Sequence, residues 1–358
     1  MTYFIYSLAL IISIFTTYLS AKKLVINNHG KSLISFRIVS ILTIGLLIGL
    51  RAESVGVDTA YYNVFFREFS YFDLSSIFQN QFEPGFSILT LILKRLGSGE
   101  IIFHTTFALL CLFFFYQFYK KNNQLLHLAV FFAFTTGFVF LMMNGVRQVI
   151  AIAIISLSIK HIYTKQFVRY ALLIILASLF HYSALLMLPI YLLSLVKNIN
   201  YKIWILLFII TIFINPFNYL DQFTMVLSVF PKNYANYLGS LELAESKFSL
   251  GFIFHLCLSF IALYFSTRLK DNVFKNHIFI LYFIGVVLMN MTWQSAVLQR
   301  FNIYFIFFQI PAYAYITNYL LKNRKFEPLL LIVLLFLISF FYKISVGDSG
   351  CAPYFFNL

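Results

Sequence analysis

Charge is what this sequence has least of. Only 11% of its 358 residues are charged, where a soluble globular chain carries about 25%. Acids are the scarcer sign, 12 against 26 Lys and Arg. With 61% hydrophobic residues and a mean hydropathy of +0.87, the chain could not hide its apolar surface from water. That excludes a soluble enzyme, a disordered chain and a collagen-like fibre. Cysteine is nearly missing. Cys111, Cys257 and Cys351 supply no disulfide or metal framework, and two of them lie inside apolar runs where packing is their ordinary use. There is no Walker loop and no nucleotide-binding Gly-rich turn, so the chain does not hydrolyse ATP itself. It has no D-x-D pair, and none of His104, His127, His161, His255 and His277 is paired at helical spacing with another ligand. No metal, haem or other cofactor is therefore expected. The net charge of +14 is not a nucleic-acid signature, because the cations sit in short clusters between apolar runs.

What the sequence does have is apolar runs along its whole length, rich in Phe (46) and Tyr (24). They predict an all-α polytopic membrane protein, one integral membrane domain over residues 1–358, with about twelve spanning helices. These are expected near 2–20, 36–50, 100–119, 125–143, 149–164, 168–180, 183–196, 203–217, 250–267, 277–293, 301–321 and 328–342. Several are shorter than the ~20 residues of a straight span. Met1–Ser20 lacks a basic leader and a small-residue cleavage site, so it is expected to remain as the first helix. Pro84–Leu96 is too short to cross, begins with Pro and ends near Lys94-Arg95, so a re-entrant or interfacial helix is expected there. With that run left out, the connections alternate in charge. One side holds 17 of the 26 cations with only Asp271 and Glu327. The positive-inside rule makes that side cytoplasmic. Both termini then lie outside, with the two long connections, 51–99 and 218–249.

Five polar stretches fall on the outer face, where charge at a span end is costly and points to function. The first runs Arg51-Ala52-Glu53-Ser54-Val55-Gly56-Val57-Asp58-Thr59-Ala60-Tyr61-Tyr62. Asp58 alone reads equally well as a helix cap, whereas an outer-face Arg51 runs against the charge bias. The second is Gln81-Phe82-Glu83-Pro84-Gly85-Phe86, where Glu83 either starts a short helix or hangs over a cleft. The third, Asn144-Gly145-Val146-Arg147-Gln148, puts Arg147 at a helix start, where the dipole disfavours a cation unless an anion faces it. The fourth, Phe180-His181-Tyr182-Ser183, offers the side chain best suited to proton transfer near neutrality. The fifth is Arg300-Phe301-Asn302-Ile303-Tyr304. Three outer-face arginines at span ends exceed what membrane anchoring needs.

Taken in order, these stretches resemble the EpsG family of exopolysaccharide and O-antigen polymerases, the Wzy-type group. The likeness rests on Gly49-Leu50-Arg51, Val55-Gly56-Val57-Asp58-Thr59, Tyr62, Glu83-Pro84-Gly85-Phe86, Asn144 with Arg147-Gln148, Phe180-His181-Tyr182-Ser183 and Arg300-Phe301, and covers about residues 40 to 310. The resemblance implies a GT-C-like membrane glycosyltransferase of the bacterial cytoplasmic membrane, its active site facing the periplasm or exterior. Its substrates would be undecaprenyl-diphosphate-linked glycans, one as donor and one as acceptor. A flippase and a chain-length regulator would be its partners, and membrane lipids its surroundings. The residues suit that chemistry. Arg51, Arg147 and Arg300 can bind diphosphate bidentately. His181, Asp58 and Glu83 are the candidate bases for the acceptor hydroxyl, in that order. Asn144, Gln148, Tyr62 and Tyr304 complete the expected substrate-binding set. A single displacement would invert the anomeric carbon. Two alternatives stand: a flippase or transporter of lipid-linked units, which would spread cations deep in both halves of the bundle, and an envelope glycan ligase or acyltransferase.

Overall fold

A computed structural model describes residues 1–26, 31–68, 77, 82–196, 198–214, 249–269, 272–293 and 295–357. Among them the backbone is mostly helical, and pairing between extended segments is limited to one isolated bridge, Arg51 with Phe356. The expected outer connection 218–249 lies outside the described residues up to 248.

The helices gather into two compact units, Met1–Ser194 with Tyr313–Leu358, and Leu195–Ala312. In the first unit, α1 (Thr2–Ile26), α2 (Lys31–Gly49), α3 (Thr59–Glu68), α4 (Pro84–Arg95), α5 (Glu100–Phe118), α6 (Leu126–Thr135), α7 (Phe138–Asn144), α8 (Val146–Tyr163) and α9 (Phe167–Ser178) follow in order. α8 is the core. It is apolar all round, with Ala151 and Ala153 letting neighbours approach, and 72% of its length is buried against α5 and α9. By contrast only 22% of the span Phe326–Ser345 is buried, so that helix is peripheral. Phe132 of α6 meets it edge-on at Phe336, 4.7 Å between ring centres.

In the second unit, α10 (Tyr201–Phe213), α11 (Leu250–Ser266) and α13 (Ala296–Ile306) pack on α12 (Val273–Thr292). Each helix starts on the polar residue that precedes its apolar run. Asn200, Ser249, Asn272 and Ser295 accept hydrogen bonds from the first-turn amides. Asn290, fully buried in α12, donates to the Phe208 carbonyl and the Thr211 hydroxyl of α10, both at 3.1 Å.

Among the described residues, five helices are long and apolar enough to cross a membrane: Thr2–Lys22, Glu100–Phe118, Val146–Tyr163, Val273–Thr292 and Phe326–Ser345. A bent pair, Lys120–Thr135 with Phe138–Asn144, makes a sixth. The chain is thus a multi-pass membrane protein. Several expected spans take another form. The run 125–143 bends by 62° at its break around Gly137. The run 301–321 divides into Ala296–Ile306 and Gln309–Lys322, because Pro311 has no amide hydrogen to carry the first helix through. The run 183–196 is a 3-10 helix, Tyr182–Leu195, carrying Pro189. At about 2.0 Å per residue its length approaches the ~30 Å hydrocarbon core despite its few residues. Pro84–Leu96 forms a helix only 12 residues long, Pro84–Arg95.

Candidate functional site

The site is built around Glu83. Pro84 occupies the first turn of α4, where a missing amide hydrogen costs nothing, and Glu83 is the residue just before it. Its carboxylate makes no cap to its own helix. Instead Oε2 accepts from Nη1 of Arg147, and Oε1 accepts from Nδ1 of His181 at 2.9 Å and from the Tyr182 amide at 3.3 Å. Gly85 makes this meeting possible. Its amide donates to the Leu179 carbonyl at 2.8 Å, and a Cβ there would lie 2.8 Å from the same oxygen. Glycine therefore lets α4 abut the end of α9, next to His181.

Depth separates the three charged groups. The Glu83 side chain is 4% exposed, whereas Arg147 and His181 are 21% and 22% exposed. The carboxylate lies beneath, and the cation and the imidazole reach the surface. Burial alone would push the Glu83 carboxyl up, but the His181 hydrogen bond and the nearby Arg147 overcome it and hold the carboxyl below its usual range. Ionised, that carboxylate can only accept, so Nδ1 of His181 carries the hydrogen. In the neutral ring, Nε2 is then the free proton acceptor.

Aromatic rings wall the pair. The Arg147 guanidinium lies 4.5 Å from the centre of the Phe82 ring and 5.9 Å from that of Phe86. Tyr62, buried in α3, is close enough to Arg147 for the two to act on each other electrostatically, and burial raises its phenol. The Nε of Arg147 is buried and, among the described residues, unpartnered. Asp58 is half-buried and close enough to Tyr62 to act on it electrostatically. Its amide donates to Oδ1 of Asn144 at 3.2 Å. Four of the five stretches therefore converge. Gln148 is buried on α8, one residue from Arg147.

Arg51 has a different fate. It is 1% exposed and enclosed by protein. Its donors go to the Ile48 carbonyl, the Thr59 hydroxyl at 3.1 Å and the Met143 carbonyl at 3.0 Å, with Nδ1 of His104 3.2 Å away. Ile48 and Met143 are at the C-terminal ends of α2 and α7, whose unpaired carbonyls and negative dipole ends suit a cation. No carboxylate pairs with it among the described residues. Diphosphate has no access to Arg51 in this arrangement. His104, for which no role was expected, continues the network to Oδ1 of Asn63 at 2.6 Å. Arg300 and Tyr304 belong to α13 in the second unit, Arg300 exposed and Tyr304 buried.

Reasoning from the sequence missed Phe82 and Phe86 as walls, although they flank Glu83-Pro84-Gly85 and so carried the signal. It also missed the contribution of residues 348–356. Neither a curated protein nor a solved structure matches this chain. The family model of the EpsG family matches residues 34–356, nearly the whole length, and so takes in every polar stretch described above. The chain belongs to the EpsG family, which makes a membrane polysaccharide polymerase-like function its coarse assignment.

Proposed function

We propose that this protein joins undecaprenyl-diphosphate-linked oligosaccharide repeat units into O-antigen or exopolysaccharide, as an inverting glycosyltransferase that needs no metal ion. It would sit in the bacterial cytoplasmic membrane with about twelve crossings, the shorter helices completing the set, in a GT-C-like arrangement. The site would face the periplasm or exterior. The observation that supports this reading best is a buried carboxylate gripping one arginine and one histidine, both of which emerge at the surface.

In the proposed step the acceptor hydroxyl attacks the anomeric carbon of the donor. The new C–O bond forms as the bond to the phosphate oxygen breaks, and undecaprenyl diphosphate leaves with the electron pair. Nε2 of His181 takes the hydroxyl proton, and Glu83 stabilises the imidazolium. Arg147, whose side chain is 21% exposed, stabilises the charge growing on the diphosphate. Phe82 and Phe86 keep water away, which strengthens that interaction. Arg51 acts as scaffold, joining α2 and α7 beneath the Asp58 loop. Asp58 is the second candidate base.

Cells lacking the protein are expected to accumulate single lipid-linked repeats in place of long chains. Long chains at normal abundance would refute the assignment. Orientation is tested separately, with the exposed Cys257 first replaced by Ser. Gly99→Cys should react with a membrane-impermeant thiol reagent in intact cells and Lys121→Cys should not. The opposite pattern would invert the map.

A further inference from the structure

We infer that residues 348–356 form a strap that fixes the Asp58 loop for reaction, and that Asn144 is the positioning residue joining strap, loop and α7. The inference rests on the place given above to Asp58 as the second candidate base.

The strap runs along the loop as a backbone partner. The Gly56 amide donates to the Gly350 carbonyl at 2.8 Å and the Val57 amide to the Ser349 carbonyl at 3.3 Å. The Ala52 amide donates to the Phe355 carbonyl, and the Asn357 amide returns a bond to Leu50, both at 2.8 Å. On its other side the strap is anchored in the helix bundle. The Tyr6 hydroxyl donates to the Cys351 carbonyl at 2.5 Å, and the Tyr354 hydroxyl to the Leu47 carbonyl at 2.8 Å. Tyr6, Cys351 and Tyr354 are all at most 1% exposed. Lys343 ties down the start of the strap through Asp348 at 2.8 Å.

Asn144 sits where the three parts meet. Its Nδ2 donates to the Phe140 carbonyl at 3.2 Å and to the Ser349 carbonyl at 2.8 Å, while Oδ1 accepts from the Asp58 amide. Both ends of the amide are used, which fixes its orientation and leaves it little to offer a substrate. The Asp58 backbone is thus placed by a side chain that the strap itself holds. A group displaced by about 1 Å from its productive position can lose about 10²-fold in rate.

Gly350 supplies a local test. A Cβ there would lie 3.1 Å from Cγ2 of Val57 and 3.2 Å from its amide nitrogen, at a φ of +67° that disfavours other residues. Gly350→Val should wedge the strap off the loop. In the full-length protein, hydrogen exchange at the Ala52, Gly56 and Val57 amides should speed up at least about tenfold, and kcat should fall at least about tenfold with KM for lipid-linked donor nearly unchanged. Gly99→Ala, where added bulk meets open space, is the control and should change neither. Should Gly350→Val fail to fold, Asn144→Asp replaces it. That variant keeps an acceptor for the Asp58 amide but turns an oxygen toward the Ser349 carbonyl, and the same two changes are expected. Unchanged exchange in the variants would overturn the strap. Faster exchange with an unchanged kcat would overturn its part in the reaction. Exchange can be read even if the wild-type protein makes no polymer, so failure of the functional reading is told apart from failure of the strap.

Discussion

Arg147→Ala is expected to cut the transfer rate by at least about 10²-fold, the scale lost when one preorganised donor to a developing negative charge is removed. It should also be the harder variant to fold. Removing one partner of a buried pair costs up to about 3–5 kcal/mol, and the partner here is Glu83, with 4% of its side chain exposed, which would keep only its bonds from His181 and the Tyr182 amide. Arg147→Lys separates the two effects. The ammonium can still pair with Glu83, so folded yield by size exclusion should approach that of the wild type. It has no planar fork with which to hold Glu83 and diphosphate together, so the initial rate should remain strongly depressed. Normal polymerisation by Arg147→Ala would remove the cation from the mechanism.

The second large effect is expected at His181. A positioned base contributes about 10²–10⁴-fold, so His181→Ala should lose at least the lower figure in rate while still inserting and binding the lipid-linked donor. Glu83→Gln should follow it, because an amide neither stabilises the imidazolium nor pairs with Arg147. The carboxyl of Glu83 is held below its ordinary value in the folded protein. Its stabilising contribution is therefore complete above the unfolded glutamate pKa of about 4.3 and is lost as pH falls through the lower folded value. Thermal unfolding in detergent should show the wild type more stable than Glu83→Gln at pH 7, with the gap closing in acid. Asp58→Asn is the companion measurement. A normal rate for His181→Ala beside a lost rate for Asp58→Asn would make Asp58 the base and His181 structural.

Much of the scaffold was legible because membrane helices write themselves as apolar runs, and nearly every expected run is a helix here. Hydrophobicity says less about what interrupts a run. The bend near Gly137, the division before Pro311 and the 3-10 form of Tyr182–Leu195 all leave composition unchanged. At the site, Glu83, Arg147 and His181 could be singled out because each is costly at a span end, and their meeting needed only that they share a face. Arg51 carried the same signal for another reason. Helix-end carbonyls satisfy it, and carbonyls have no side-chain signature. The strap was illegible on similar grounds. It works largely through backbone groups of Ser349, Gly350 and Phe355, which no residue type announces. Asn144 stood out as polar, but only its partners show that it holds protein in place.

The most direct test of the account uses the purified protein in lipid vesicles, with a lipid-linked repeat unit as sole substrate and a chelator present. A ladder of longer lipid-linked chains, release of undecaprenyl diphosphate and inverted linkages are expected, all lost in Arg147→Ala. Movement of the unit across the bilayer with no ladder, in wild-type protein shown to be folded, would contradict it and make this chain a transporter.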